Sequence, residues 1–222
     1  MVPDGPFQAR HFTLPLRCRY LLRPPQQPSD RSLLVIAAHG HAMTPEKMLE
    51  LTAPLVGEGH YLASLQGPYQ LWTDPGGGRS EVAFHWQTRF EAEHSRRLHH
   101  DMIRHVIAEA GLPAERLILL GFSQSVSLNY RFVCTEVEAV SGVIAICGGI
   151  PGDWDSGPYH PTRAAALHIA TREDEFYPPE VTAAYPERFR PRLPDFELHL
   201  LDGPHRIPSA AAPIIQAWLR RW

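Results

Sequence analysis

The chain has 222 residues, 44% hydrophobic and 20% charged, which suits one packed α/β domain and excludes a disordered or collagen-like polymer. Its net charge is −3 with histidines neutral, and no long basic run occurs, so the electrostatic footprint of a nucleic-acid or anionic-membrane binder is missing and a small molecule becomes the default partner. No apolar run approaches the ~20 residues of a membrane span, and the N-terminal MVPDGPFQARHF lacks the basic and apolar regions of a signal segment. The reading is therefore a cytoplasmic protein without stable membrane insertion, its oligomeric state left open, a homodimer included. Cys18, Cys134 and Cys147 are odd in number and each sits in an apolar stretch, as buried free thiols of a reducing compartment would.

Residues 17–22 read as a first strand, stopped by Pro24 and Pro25. Short runs apolar on both faces follow at 33–38, 61–65, 117–120, 143–146 and 167–170, as parallel strands covered by helices require. Between them, Thr44 is placed to cap a helix that opens on Pro45 and ends at Gly57. A longer helix is expected from about Thr88 to Ala110, where Leu98, Met102, Val106, Ile107 and Ala110 recur at helical spacing before Gly111 and Pro113. Near the C-terminus, Phe196, Leu198 and Leu200 alternate with Glu197 and His199, the pattern of a half-buried strand near a sheet edge. The alternation of strand and helix predicts one open, mostly parallel α/β sheet over residues 1–222. Segments 67–80, with its Gly76–Gly78 run, and 151–161 are expected to be long loops forming a partial cover over a crevice at the strand ends.

The run LILLGFSQSVS (117–127) puts Ser123 directly after a buried strand and before a helix-compatible segment. That is the setting of a nucleophile elbow, in which the residues two before and two after the serine must be small. Gly121 and Ser125 are small, although the usual G-x-S-x-G pattern has glycine at the second position. The alternative is an ordinary helix N-terminus capped by Ser123.

Gly121-Phe-Ser-Gln-Ser resembles the GFSQG elbow of the phospholipase/carboxylesterase family of α/β hydrolases, which includes acyl-protein thioesterases. Ala38-His39-Gly40-His41 is similar to that family's oxyanion loop, Thr171-Arg-Glu-Asp-Glu-Phe-Tyr-Pro to its acid loop, and Gly203-Pro-His-Arg-Ile-Pro to its histidine loop, all in the family's order. Ala42 and Met43 depart from the glycine and aspartate usual after the HG pair. The resemblance implies an α/β-hydrolase fold and a carboxylesterase-type serine hydrolase acting on short or medium acyl esters, thioesters or lysophospholipids through an acyl-enzyme. No metal or cofactor is required by such chemistry.

A serine hydroxyl needs an imidazole to take its proton, and the imidazole needs a carboxylate to hold its tautomer. In this fold the chain order is Ser, acid, His, which points to Ser123, Asp174 and His205, with Glu173, Glu175 and Asp202 as competing acids. Backbone N–H groups of Gln124 and, by the resemblance, His41 are expected to bind the oxyanion. His39 is read as an anchor of its loop or a structural histidine. Trp72 and Trp86 flank the glycine-rich segment and are candidates for the substrate pocket or for the core. Two rival functions stay open: a metal-dependent hydrolase using His39 and His41 or the cluster His94, His99, His100, Asp101 and His105, and a non-catalytic binding domain.

Overall fold

The structure is a computed structural model that describes residues 10, 12, 14–74, 80–88 and 92–222. The Gly76–Gly78 run, residues 89–91 of the expected long helix and most of the first thirteen residues lie outside the described residues. The elements in chain order are β1 (Tyr20–Arg23), β2 (Leu34–Ala38), α1 (Pro45–Val56), β3 (Tyr61–Leu65), β4 (Tyr69–Thr73), β5 (Glu81–His85) and α2 (Ala92–Ala110). They continue with β6 (Leu117–Phe122), α3 (Gln124–Thr135), β7 (Gly142–Ile146), β8 (Ala165–Glu173), α4 (Pro179–Thr182), α5 (Tyr185–Phe189), β9 (Phe196–Pro204) and α6 (Ala212–Leu219).

Seven strands form one sheet in the order β1-β3-β2-β6-β7-β8-β9. Only β1 runs antiparallel to its neighbour, and the other pairings are parallel. The two-residue period of each strand splits its apolar side chains between two cores. Leu34 and Ile36 of β2, Leu119 of β6 and Val143 of β7 face α2 and α3, meeting Met102, Ile103, Val126 and Phe132. Val35, Ile118, Leu120 and Ile144 face the other way, onto Met48 and Leu55 of α1 and Ile215 and Trp218 of α6. Burial on both sides is the reason these strands are apolar throughout. Helix α1 starts as expected, with the Thr44 hydroxyl oxygen accepting the Lys47 N–H at 3.1 Å and Pro45 at its first position.

Three expectations need correction. The first strand begins at Tyr20, because its pairing with β3 runs only from Tyr20–Leu65 to Arg23–Leu62. Cys18 therefore precedes the sheet and is exposed, whereas Cys134 and Cys147 are buried; all three are free. Segment 67–80 is not simply a loop: Tyr69–Thr73 is a strand that pairs with β5 in a separate two-stranded sheet, in register Tyr69–His85 to Thr73–Glu81. Segment 151–161 lacks regular structure but is packed into the body. Trp154 and Tyr159 are buried, the His160 N–H donates to Cys134 O at 2.8 Å, and Trp154 Nε1 donates to Arg188 O at 3.1 Å. Asp153 accepts from the buried Arg131 at 2.6 Å and from Tyr159 at 2.7 Å; burial alone would raise its carboxyl, but these donors outweigh it and hold the pKa at about 2. The anchors on α3, Arg131 and Cys134, lie two turns and more along that helix from Ser123. No helix among the described residues is long and apolar enough to cross a membrane.

Candidate active site

The end of β6 and the start of α3 meet at Ser123, whose backbone has φ 54 and ψ −112. A left-handed φ on a non-glycine residue is strained, on the order of 1–3 kcal/mol, and persists only where neighbours over-determine it. Here the Ser123 N–H is held by Ile146 O at 3.0 Å and its C=O by the Val126 N–H at 3.1 Å. Its side chain makes no capping bond, which disposes of the ordinary helix-cap alternative. Tight packing explains the small residue two places before: a Cβ at position 121 would lie 2.8 Å from the Asn129 amide and 3.2 Å from the Val126 Cα.

The turn aims Ser123 Oγ at His205, which follows the last strand of the sheet. His205 Nε2 is 2.9 Å from Ser123 Oγ, and Nδ1 is 2.9 Å from Asp174 Oδ2. Asp174 follows β8 directly, where the ladder with β9 shifts register between Thr171 and Glu173. Its other oxygen accepts the N–H groups of Phe176 and Tyr177, each at 2.9 Å. Burial would raise this carboxyl, but the bonds from His205, Tyr177 and Phe176 outweigh it and place the pKa below its ordinary value. An ionised carboxylate only accepts, so Nδ1 carries the imidazole proton and Nε2 is left to accept the Ser123 O–H. The ring is kept in plane by Phe122, stacked at 5.2 Å between centroids, and by Phe176, edge-on at 4.8 Å. The rival acids lie elsewhere: Glu173 and Glu175 point to solvent, and Asp202, 90% exposed, pairs with Arg172 at 3.0 Å.

The backbone N–H of Gln124 is at the positive end of α3, where a helix leaves its first N–H groups without internal acceptors. His41 lies in the turn after β2, followed by Ala42 with φ 56. Glycine at position 40 lets this turn press on the elbow, since a Cβ there would fall 2.8 Å from the Phe122 ring. The His39 ring is buried, and burial lowers its pKa to about 4, so it is neutral at pH 7. Its Nε2 accepts the Gly67 N–H at 2.9 Å, which puts the ring proton on Nδ1, where it donates to Gly40 O at 2.6 Å. His39 is thus a loop anchor.

Of the two tryptophans, Trp72 is 67% exposed on β4, across from Val82. Trp86 is fully buried against His39 and His99, so it is not a pocket wall. The histidines of the metal reading are not gathered: His94 and His105 are exposed, while His99 is in the core. Among the described residues, the three ligand-type side chains that do come together are Cys147, Asp174 and His205, the last two already bonded to each other. Burial pushes the Cys147 thiol up to about 11, and it donates to Arg206 O at 3.3 Å beneath the histidine loop.

Sequence reasoning missed one group. Ser125 Oγ, fully buried, accepts the Phe122 N–H at 3.0 Å and donates to Ala38 O at 2.6 Å, tying the elbow to the end of β2. Its signal was visible as the serine that stands where the pattern has glycine.

Sheet order, helices on both faces and an elbow after the central strand together define an α/β-hydrolase fold. Among solved structures the chain is similar to esterase PE8, with a TM-score of 0.75 and 18% identity, covering 93% of this chain and 99% of that one. It is similar to a carboxylesterase from Mesorhizobium loti (TM-score 0.71, 19% identity, 92% and 95% covered) and to a phospholipase/carboxylesterase from Dyadobacter fermentans (0.67, 15%, 94% and 99%). No family model and no curated protein matches the sequence.

Proposed function

We propose that the protein is an esterase-type serine hydrolase that cleaves carboxylic esters through an acyl-enzyme on Ser123. The observation that carries the reading is the continuous chain from Ser123 Oγ through His205 to Asp174, two bonds of 2.9 Å each, starting from a strained elbow. His205 Nε2 takes the Ser123 proton as Oγ attacks the ester carbonyl, and Asp174 stabilises the resulting imidazolium. The oxyanion is received by the N–H groups of Gln124 and His41. His205 then returns the proton to the leaving alcohol, and water repeats the sequence on the acyl-enzyme to release the acid. Names of similar structures, esterase and carboxylesterase, support the same class.

For substrate we propose short or medium acyl esters, with thioesters and lysophospholipids sharing the same intermediate. Phe176, 66% exposed beside His205, offers an apolar surface at an open site. Three free thiols support a reducing, cytoplasmic setting.

Reaction with a fluorophosphonate probe and with nitrophenyl acetate, butyrate, octanoate and palmitate tests the reading. The parent protein is expected to be labelled on Ser123 and to favour the shorter esters, and Ser123→Ala to lose both labelling and turnover while keeping its circular dichroism. A correctly folded Ser123→Ala protein with undiminished turnover would remove Ser123 from the mechanism.

A further inference from the structure

We propose that Trp86 is a positioning residue that clamps together the two peptide groups donating to the oxyanion; the inference rests on the serine-hydrolase reading above. Its two N–H groups reach both halves of that site. The indole Nε1–H donates to His39 O at 2.8 Å, one peptide unit before the unit that carries the His41 N–H. The backbone N–H of Trp86 donates to Gln124 Oε1 at 3.0 Å, and Gln124 is the residue whose own N–H is the second donor.

The two donors differ in rigidity. That of Gln124 is fixed by α3, whereas that of His41 is on a turn outside any helix or strand, held to β5 among the described residues by the backbone bond from Phe84 N–H to Met43 O at 2.9 Å. Donors help only if they converge on one point before charge develops there. Trp86 supplies the missing rigid link, because its ring is wholly buried, tilted on the His39 imidazole at 5.0 Å and edge-on to His99 at 5.2 Å. The packed His39 ring in turn donates from Nδ1 to Gly40 O, the carbonyl of the peptide that carries the His41 N–H. A hydrogen bond to that carbonyl orients the plane and polarises its N–H. The fixed order is therefore Gln124, Trp86, His39, and the peptide between Gly40 and His41. The hairpin β4–β5, which stands apart from the main sheet, is the scaffold that delivers Trp86 to this place.

Trp86→Phe keeps a buried aromatic ring and the backbone bond to Gln124 but deletes the indole donor. Gln124→Met keeps the α3 N–H and removes the acceptor at the other end of the clamp. An oxyanion contact exists only in the transition state, so each variant should lower kcat, with KM within twofold and the pH profile unchanged. Deleting an oxyanion donor outright costs about 10²–10³ in kcat; loosening one should cost about tenfold or more. An alkylboronic acid, which mimics the tetrahedral adduct, should lose affinity in step with kcat. The double variant should lose little more than the worse single one, since both break the same link. Either variant, folded by circular dichroism and turning over within twofold of the parent, overturns the clamp; if Trp86→Phe does not fold, Gln124→Met decides the matter alone. A parent protein that neither reacts with fluorophosphonate nor hydrolyses esters overturns the serine-hydrolase reading and the clamp with it, whereas a reactive parent with undisturbed variants overturns the clamp only.

Discussion

Replacing Ser125 by glycine would restore the common elbow pattern, yet we expect the restored motif to damage this protein. Ser125 Oγ is buried and holds the Phe122 N–H at 3.0 Å and Ala38 O at 2.6 Å, so both backbone groups depend on one hydroxyl. Leaving a buried N–H unpaired costs about 1–3 kcal/mol, and the bond to Ala38 adds about 1 kcal/mol. Ser125→Ala should therefore lose about 2–4 kcal/mol. Glycine in the first turn of α3 adds about 0.5–1 kcal/mol of backbone entropy, offset in part if water enters the vacated space. These losses are a sizeable fraction of an ordinary domain's stability, on the order of 5–15 kcal/mol, without exceeding it. Urea unfolding followed by tryptophan fluorescence measures them, and Ser127→Ala is the control. Ser127 Oγ makes only a 3.4 Å bond to Gln124 O and is half-buried, so its loss should stay within about 0.5 kcal/mol. Turnover should fall severalfold in the Ser125 variants, because Phe122 immediately precedes the nucleophile. A glycine variant as stable and as active as the parent would refute the argument, showing that the elbow does not use the hydroxyl.

Two further outcomes follow from the geometry. Asp174→Asn should lower kcat by up to about 10⁴ with little change in KM, since an amide cannot hold the imidazole tautomer; Asp202→Asn should stay within about threefold, because that carboxylate faces solvent and Arg172. Steady-state kinetics on one nitrophenyl ester measure both, and the reverse ranking would move the acid to Asp202. For pH, burial depresses His39 and His100 to about 4 and His168 to about 3. An unfolded histidine protonates near 6.5, so between that value and the folded pKa the unfolded chain binds more protons, and stability should fall as pH drops below about 6.5. His168→Leu removes one such group and should flatten the slope between pH 6 and 4.5 by up to about 1.4 kcal/mol per unit. Denaturant melts across that range supply the test, and an unchanged slope would mean that His168 does not titrate on unfolding.

Much of this architecture was legible in the chain because it depends on local pattern. The strands at 34–38, 117–122 and 142–146 are apolar at every position, which only a sheet covered on both sides accommodates, and the elbow and its partners come in a fixed order along the chain. Other features depend on contacts between distant segments. Strand β4 falls in a segment that reads as loop because it lies between Pro68 and the Gly76–Gly78 run, and the place of its hairpin with β5 is set by the Met43–Phe84 bridge and by Trp86. A tryptophan has the same volume in a pocket as in a core, so nothing local to Trp86 announced that its indole would bond His39 and its backbone Gln124. Cys18 lies between Arg17 and Arg19 in a stretch otherwise apolar, and its exposure is decided by its place before the first paired residue of β1. The three carboxylates at 173–175 differ by one position each, and chemistry alone does not rank them. The register shift after Thr171 ranks them, because it turns the side chain of Asp174, and neither neighbour, inward to His205.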